Sequence, residues 1–335
     1  MNQDLTRMVT EEEVFTSVMD IGSHRTPGPD GFSAVFYHHY WDDIKDEIMK
    51  EITEFFETGH LDPQLSCTNL CLIPKVYPPS SMKDFRPIAL CNVSYKIITK
   101  VLVNRLKAHL GSIISENQNA FIPGRMISDN IVVAHEVFHC LKAGKRQATS
   151  YMAVKTYITK AYDRLEWRFL AETMKHLGFD RRWIGWTMEC VTAVRYSVLI
   201  NGKAEGFITP ARGLRQGDPL SPYLFIFCAE VLSHLMTKAM EDRSLMGVKI
   251  SNNAPAVNHL FFADDSLFFS LANIKAAKKL KSILGLYKAV SGQAINLSKS
   301  SITFGAKVND SVKTRMRSLL GIYNDGGFGK YLGLP

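Results

Sequence analysis

The stretch His259-Leu260-Phe261-Phe262-Ala263-Asp264-Asp265-Ser266-Leu267-Phe268-Phe269 decides the fold. Two apolar runs of strand composition flank a pair of adjacent carboxylates, so the acids fall at the tip of a tight hairpin. Concentrating two negative charges there is costly unless a cation such as Mg²⁺ offsets them. An Asp-Asp pair alone carries little information, and the chain holds its own control. Asp42-Asp43 lies on the polar side of an amphipathic helical pattern, where a solvated surface explains it. The strand runs around Asp264-Asp265 make the second pair different.

Outward from this hairpin, a strand pattern covers Tyr151 to Ile158, two helical patterns follow, and Asn201-Gly202 marks another hairpin. A helix follows Pro219, another covers Ile274 to Val290, and a strand lies near Ser301 to Phe304. In the first half, Thr10-Glu11-Glu12-Glu13 is a capping box opening a short helix. Apolar residues at Phe36, Tyr40, Ile44, Ile48, Ile52 and Phe55 predict one long amphipathic helix. The runs Asn69 to Lys75 and Phe85 to Leu90 are spaced to pair as a hairpin, and helical patterns near 93–110 and 129–141 bracket a loop at Gln118 to Arg125. The alternation lacks the regular βαβ repeat of a doubly wound sheet. The expected class is therefore α+β, with an antiparallel sheet and helices on one face.

The balance of 40 Lys plus Arg against 32 Asp plus Glu gives +8 and a pI near 9.1. Such a surface favours a polyanionic partner through phosphate contacts. Hydrophobic content of 46% over 335 residues is enough for a sizeable core and excludes disorder as the default. The six cysteines at 67, 71, 91, 140, 190 and 228 form no CxxC pair and have no matching His cluster, which argues against a zinc site and for reduced thiols. No N-terminal segment combines a basic start with an apolar run, and the longest uncharged stretch, Pro219 to Ala229, is short of a membrane span. The expected location is intracellular, nuclear or cytoplasmic, with no membrane partner; the oligomeric state stays open.

Phe262-Ala263-Asp264-Asp265 resembles the catalytic hairpin of reverse transcriptases, and Gly213-Leu214-Arg215-Gln216-Gly217-Asp218-Pro219-Leu220-Ser221-Pro222 resembles the next most specific block of that family. So do Gly28-Pro29-Asp30-Gly31-Phe32, Ile73-Pro74-Lys75 with Phe85-Arg86-Pro87-Ile88, Phe121-Ile122-Pro123-Gly124-Arg125, and Lys330-Tyr331-Leu332-Gly333-Leu334-Pro335. The blocks follow the family's order over nearly the whole chain, and their wording is similar to non-LTR retrotransposons of the plant LINE type. The resemblance implies a right-hand polymerase fold. Residues 1–145 would be an N-terminal extension and helical, β-hairpin fingers; residues 146–335 would be an antiparallel palm carrying the catalytic hairpin near 258–270.

The resemblance also implies an RNA-directed DNA polymerase that extends a primer 3′-OH on an RNA or DNA template with dNTPs, using a pair of Mg²⁺ (or Mn²⁺) ions. Asp264 would be the bridging metal ligand and Asp265 a weaker ligand or orienting acid. Lys75 and Arg86, across the finger hairpin from each other, would clamp the incoming triphosphate; two solvated surface cations are the plain alternative. Gln216 and Gly217 would touch the nucleotide and templating base, and Gly217 also suits a turn with positive φ. Tyr162 resembles the ring that excludes a ribose 2′-OH, with a core tyrosine as the alternative. Arg125 and Lys299 would contact template-primer phosphates or else be ordinary surface charge.

One position departs from the pattern. The family's first catalytic block has an Asp five residues before the gate aromatic, and here Met152-Ala153-Val154-Lys155-Thr156-Tyr157-Ile158-Thr159-Lys160-Ala161-Tyr162-Asp163-Arg164 aligns without a gap to put Tyr157 there. A phenol is neutral near pH 7 and a poor ligand for a hard octahedral cation. Asp163, six residues on, should point elsewhere. The expectation is impaired turnover, with Tyr157 marking the missing acid. The sequence also ends at the palm-edge block, so a thumb is expected to be absent, as is an endonuclease before Met1. Three functions compete: an active polymerase, a non-catalytic remnant that at most binds nucleic acid, and a metal-dependent nuclease. The last would need further acids or histidines converging on Asp264 and Asp265.

Overall fold

The computed structural model describes residues 1–142, 150–251, 253–327 and 331–332. The chain opens with α1 (Asn2–Leu5) and α2 (Glu11–Met19). The capping box forms: the Thr10 hydroxyl accepts from the Glu13 N–H, and the Glu13 carboxylate accepts from the Thr10 N–H, both at 3.3 Å. Two helices follow, α3 (Ala34–His39) and α4 (Trp41–Thr58), in place of the single long helix expected there. Tyr40 breaks them at φ −102°, ψ 18°. One non-helical residue barely disturbs the apolar spacing, so periodicity could not reveal it.

After α5 (Pro63–Ser66), β1 (Cys67–Pro74) and β2 (Phe85–Cys91) pair antiparallel as expected, with Ile73 opposite Arg86. α6 (Val93–Lys107), the short α7 (Leu110–Ile113) and α8 (Ile127–Lys142) come next, then β3 (Tyr151–Thr159). α9 (Trp167–His176) and α10 (Arg181–Thr192) lead to the hairpin of β4 (Arg195–Ile200) and β5 (Lys203–Ile208). Its Asn201-Gly202 turn has φ of +51° and +81°, the left-handed pair that a two-residue hairpin demands. α11 (Ser221–Glu241) is long and apolar enough to cross a membrane, yet 56% of that stretch is buried within the protein, as befits a core helix. The chain ends with β6 (Val248–Lys249), β7 (Ala256–Val257), β8 (His259–Phe262), β9 (Asp265–Leu271), α12 (Ile274–Ser291), β10 (Ala294–Ile295), β11 (Ser301–Phe304), α13 (Asp310–Leu320) and β12 (Asn324–Asp325).

These elements form two compact units, Met1–Leu110 with Leu165–Leu224 and Gly111–Arg164 with Phe225–Pro335. The expected domain boundary at 145/146 lies outside the described residues, as do Lys330 and Gly333 to Pro335 of the last family block. The first unit centres on α6, whose Tyr95, Ile97, Ile98, Val101, Leu102 and Leu106 are all buried. Its sheet runs β2-β1-β4-β5, parallel only between β1 and β4. The second unit holds the sheet β12-β11-β3-β9-β8, antiparallel except at β11–β12, with β10 also paired to β3. The class is α+β. Helices cover both faces of this sheet and not one alone: α8 packs through Ile131, Ala134 and Phe138 on the side of Leu267 and Phe269, whereas Leu232 of α11 and Leu284 and Tyr287 of α12 meet Ser266 and Phe268 on the other. The unbroken burial of Met152, Ala153 and Val154 in β3 follows from that double cover.

Candidate active site

In the second unit, β8 and β9 are joined by Ala263 and Asp264 alone, because Phe262 pairs with Asp265. Ala263 takes φ +52°, an uncommon conformation for a residue with a side chain. The loop before α8 holds it. The buried Gln118 side chain accepts from the Ala263 N–H at 3.1 Å, the Phe261 N–H donates to the Asn117 carbonyl at 2.7 Å, and Asn130 Nδ2 donates to the Phe261 carbonyl at 2.7 Å. The carboxylate turn is thus fixed by amides reaching in from another segment.

Tyr157 of β3 is the direct register partner of Asp265 on β9. Opposed residues in such a ladder hold their Cβ atoms about 5 Å apart, so phenol and carboxylate are immediate neighbours. Lys155, two residues earlier on the same face, sets its ammonium 5.1 Å from the Tyr157 ring centre and 5.9 Å from that of the buried Tyr331. Burial raises the Asp265 carboxyl above the usual range, the adjacent Asp264 charge adds to that, and Lys155 opposes it. Burial also raises the Tyr331 hydroxyl, with a further push from Asp265.

Tyr162 stacks on Phe225 at 5.4 Å between ring centres and 9° between planes. Burial, and then the charge of Asp264, raises its hydroxyl above the ordinary tyrosine range, which puts Tyr162 within electrostatic reach of the acidic turn. Lys299 is exposed, in a turn closed by its own N–H on Asn296, whose N–H in turn donates to the Tyr157 carbonyl at 2.7 Å. Arg125 has a different occupation. Its Nη1 donates to the carbonyls of Ser115 and Gln118, both at 2.6 Å, and its Nη2 to that of Ile114 at 2.9 Å, so the guanidinium ties together the loop that supports Ala263.

In the first unit, Lys75 and Arg86 lie on one face of the β1–β2 hairpin as diagonal neighbours, since the Lys75 N–H donates to the Asp84 carbonyl and Arg86 faces Ile73. Arg86 is exposed, and Lys75 Nζ donates to the Lys83 carbonyl at 3.2 Å. The Gln216 carbonyl accepts from the Ala89 N–H at 2.7 Å, extending the edge of β2. Gly217 has φ +124°, and a Cβ there would meet the Ala89 carbonyl oxygen at 2.7 Å. The flanking charges are buried: Arg215 stands 3.9 Å over the Tyr95 ring and bonds the Cys190 carbonyl, while the Tyr95 hydroxyl donates to Asp218 at 2.6 Å.

The structure therefore gathers Tyr157, Tyr162, Asp264 and Asp265 in one unit, and Lys75 with Arg86, and Gln216 with Gly217, in the other. Sequence reasoning missed Lys155, which the two-residue strand period from Tyr157 could have found, and Gln118, for which no local signal exists. Among the described residues no set of three or more Asp, Glu, His or Cys could hold a metal ion. Asp163 supplies no third acid.

Residues 73–333 match the family Reverse transcriptase (RNA-dependent DNA polymerase). The chain belongs to this family. The transposon TX1 uncharacterized 149 kDa protein of Xenopus laevis is 28% identical over 88% of this chain and 22% of its own length. The Pol polyprotein of the type-2 retrotransposable element R2DM of Drosophila melanogaster is 26% identical over 78% of this chain and 23% of its own. These relatives place the domain with the LINE-type, non-LTR retrotransposon reverse transcriptases, and it spans under a quarter of either protein. Among solved structures, an apo telomerase from Candida tropicalis, truncated from its C-terminal domain, has a similar fold, with TM-score 0.52, 14% identity, and coverage of 83% of this chain and 57% of that one. The reverse transcriptase carries the right-hand polymerase class of fold.

Proposed function

We propose that the chain is the polymerase domain of a retrotransposon reverse transcriptase whose primer extension is impaired at one residue, Tyr157. The observation that carries this reading is the pairing of Tyr157 with Asp265. Two-metal phosphoryl transfer needs carboxylates on both sides of that ladder, because the ions must be clamped between them. Here one side offers Asp264 and Asp265, and the other a phenol with the Lys155 ammonium beside it. That donor set does not fit a pair of divalent ions; Asp264 and Asp265 suffice for one ion at most.

The remaining roles follow from the same reading. On the four-stranded sheet, Lys75 and Arg86 are the proposed triphosphate contacts, and the Gln216-Gly217 backbone is a nucleotide contact. On the six-stranded sheet, Tyr162 is the proposed gate against ribose, and Lys299 a template-primer phosphate contact. Arg125 is better explained by the three carbonyls it binds. A second reading, binding of nucleic acid with no residual catalysis, is favoured by the Lys155 ammonium standing where additional cations would be repelled.

Primer extension on an RNA template with dNTPs and Mg²⁺ or Mn²⁺ tests the proposal by comparing the chain with Tyr157→Asp. The variant should exceed the unmodified chain by at least ~100-fold, a few kcal/mol of barrier. Equal rates in the two proteins refute it.

A further inference from the structure

The second unit carries a surface of nearly one sign. α12 holds Lys275, Lys278, Lys279, Lys281 and Lys288 and no acid, and α13 holds Lys313, Arg315 and Arg317 against Asp310 alone. Three of these cations are neutralised: Lys279 by Asp242 at 3.9 Å, Lys313 by Asp310 at 2.8 Å and Arg317 by Asp325 at 3.1 Å. Lys275, Lys278, Lys281, Lys288 and Arg315 are exposed and have no carboxylate partner among the described residues.

Four of the five line a single seam. Lys281 Nζ donates to the Leu319 carbonyl at 2.7 Å, so the Lys281 side of α12 faces α13. Arg315 precedes Leu319 by four residues and shares its flank of α13. Lys278 lies one turn before Lys281, and Lys288 two turns after, on the same side of α12. The seam therefore runs for about 15 Å at 1.5 Å of rise per residue. That is roughly four phosphates of a nucleic-acid strand at ~3.4 Å each.

Unpaired like charges at this spacing repel one another and weaken the fold, and a polyanion removes that cost. A bilayer suits the seam poorly. The apolar arc of α12, made of Ala276, Ala277, Leu280, Ile283 and Tyr287, is already buried in the unit, whereas a helix that lies in a membrane needs that arc free. The exposed Leu286 and Val290 project from the other flank.

We propose that the α12–α13 seam is a second nucleic-acid site, one that grips the phosphodiester backbone regardless of sequence. None of its residues belongs to the Asp264–Asp265 hairpin or to the strand opposite, so it operates whether or not the chain copies a template.

The test is fluorescence anisotropy of the full chain with a labelled, unstructured 20-nucleotide RNA between 50 and 200 mM salt. Changing Lys278, Lys281, Lys288 and Arg315 to Gln should weaken binding at least tenfold at 100 mM salt and flatten the log–log salt slope by about 3, from ~0.7 per phosphate released. A double variant, Lys278→Gln with Lys288→Gln, keeps the Lys281–Leu319 bond and should lose about half as much slope. Changing the exposed Lys50, Arg168, Lys175 and Arg181 of the other unit to Gln is the control, with an expected loss under threefold. Equal losses in the seam and control variants overturn the proposal. So does seam-dependent binding to phosphatidylserine vesicles with RNA binding intact. Failure of Tyr157→Asp to extend a primer leaves these results untouched.

Discussion

Tyr157 stands directly across an antiparallel ladder from Asp265, with Lys155 on the same strand face. A carboxylate at position 157 would face like charge, which destabilises a sheet when nothing offsets it. Tyr157→Asp should therefore melt earlier than the unmodified chain in EDTA, by about 1 kcal/mol, and recover in Mg²⁺. An ion at 100 times its dissociation constant adds ~2.7 kcal/mol. The unmodified chain should gain much less from the same addition. Thermal melts of both proteins with and without 10 mM Mg²⁺ decide it, and identical shifts would count against the placement of the missing acid.

Gly217 is required by geometry of its own. A side chain there meets a backbone oxygen, Ala89 O, at 2.7 Å, and the φ of +124° excludes most residues besides glycine. Gly217→Ala should cost at least ~2 kcal/mol, because the edge of β2 must move to admit the methyl group. Urea denaturation measures it. A loss below 0.5 kcal/mol would show that the Gln216–Ala89 connection yields easily.

Much of this fold is legible in the sequence wherever the signal is local. The capping box at Thr10 and the Asn201-Gly202 turn both formed as their composition dictates, because each depends on residues within a few positions. What escaped was long-range. Arg125 bonds carbonyls 7 to 11 residues away, and the Arg215–Asp218–Tyr95 group joins segments more than 100 residues apart, so neither could be told from surface charge. The second helical layer on the six-stranded sheet was hidden for the same reason. Asn130, Gln118 and Lys155 around the acidic turn are polar residues without motif, and only the packing of α8 and β3 gives them a role.

His259 is fully buried at the start of β8, bonded at Nδ1 to Asn258 Oδ1 at 2.6 Å and at Nε2 to the Ser233 hydroxyl at 2.7 Å. Burial pushes its ring down to about 3. The unfolded chain binds a proton near pH 6.5 that the folded chain refuses until about pH 3, so stability declines as pH falls through that window. The slope from this group is about 1.4 kcal/mol per pH unit. Urea melts at pH 7, 6 and 5 should show the decline, and His259→Gln should remove most of it. An unchanged slope in the variant would assign the acid sensitivity elsewhere.

The Arg105 guanidinium, with its side chain 2% exposed, binds Glu13 at 2.9 and 3.0 Å and also takes the carbonyls of Leu5, Arg7 and Met8. Burial alone would raise the Glu13 carboxyl; the hydrogen bond and charge of Arg105, joined by Arg7 and the Thr10 N–H, outweigh it and hold the carboxyl below the usual range. A depressed carboxyl stabilises the fold above its unfolded value of about 4.5, and that contribution is lost as pH falls through the folded value. Arg105→Met leaves Glu13 without its main cation and three carbonyls without donors, an expected cost of ~3–5 kcal/mol. Since those carbonyls are what attach residues 5–8 to α6, limited proteolysis should cut there first in the variant. A melting temperature within 1 °C of the unmodified chain would mean that the N-terminal segment is held by its apolar contacts, chiefly Leu5, and that the guanidinium is dispensable.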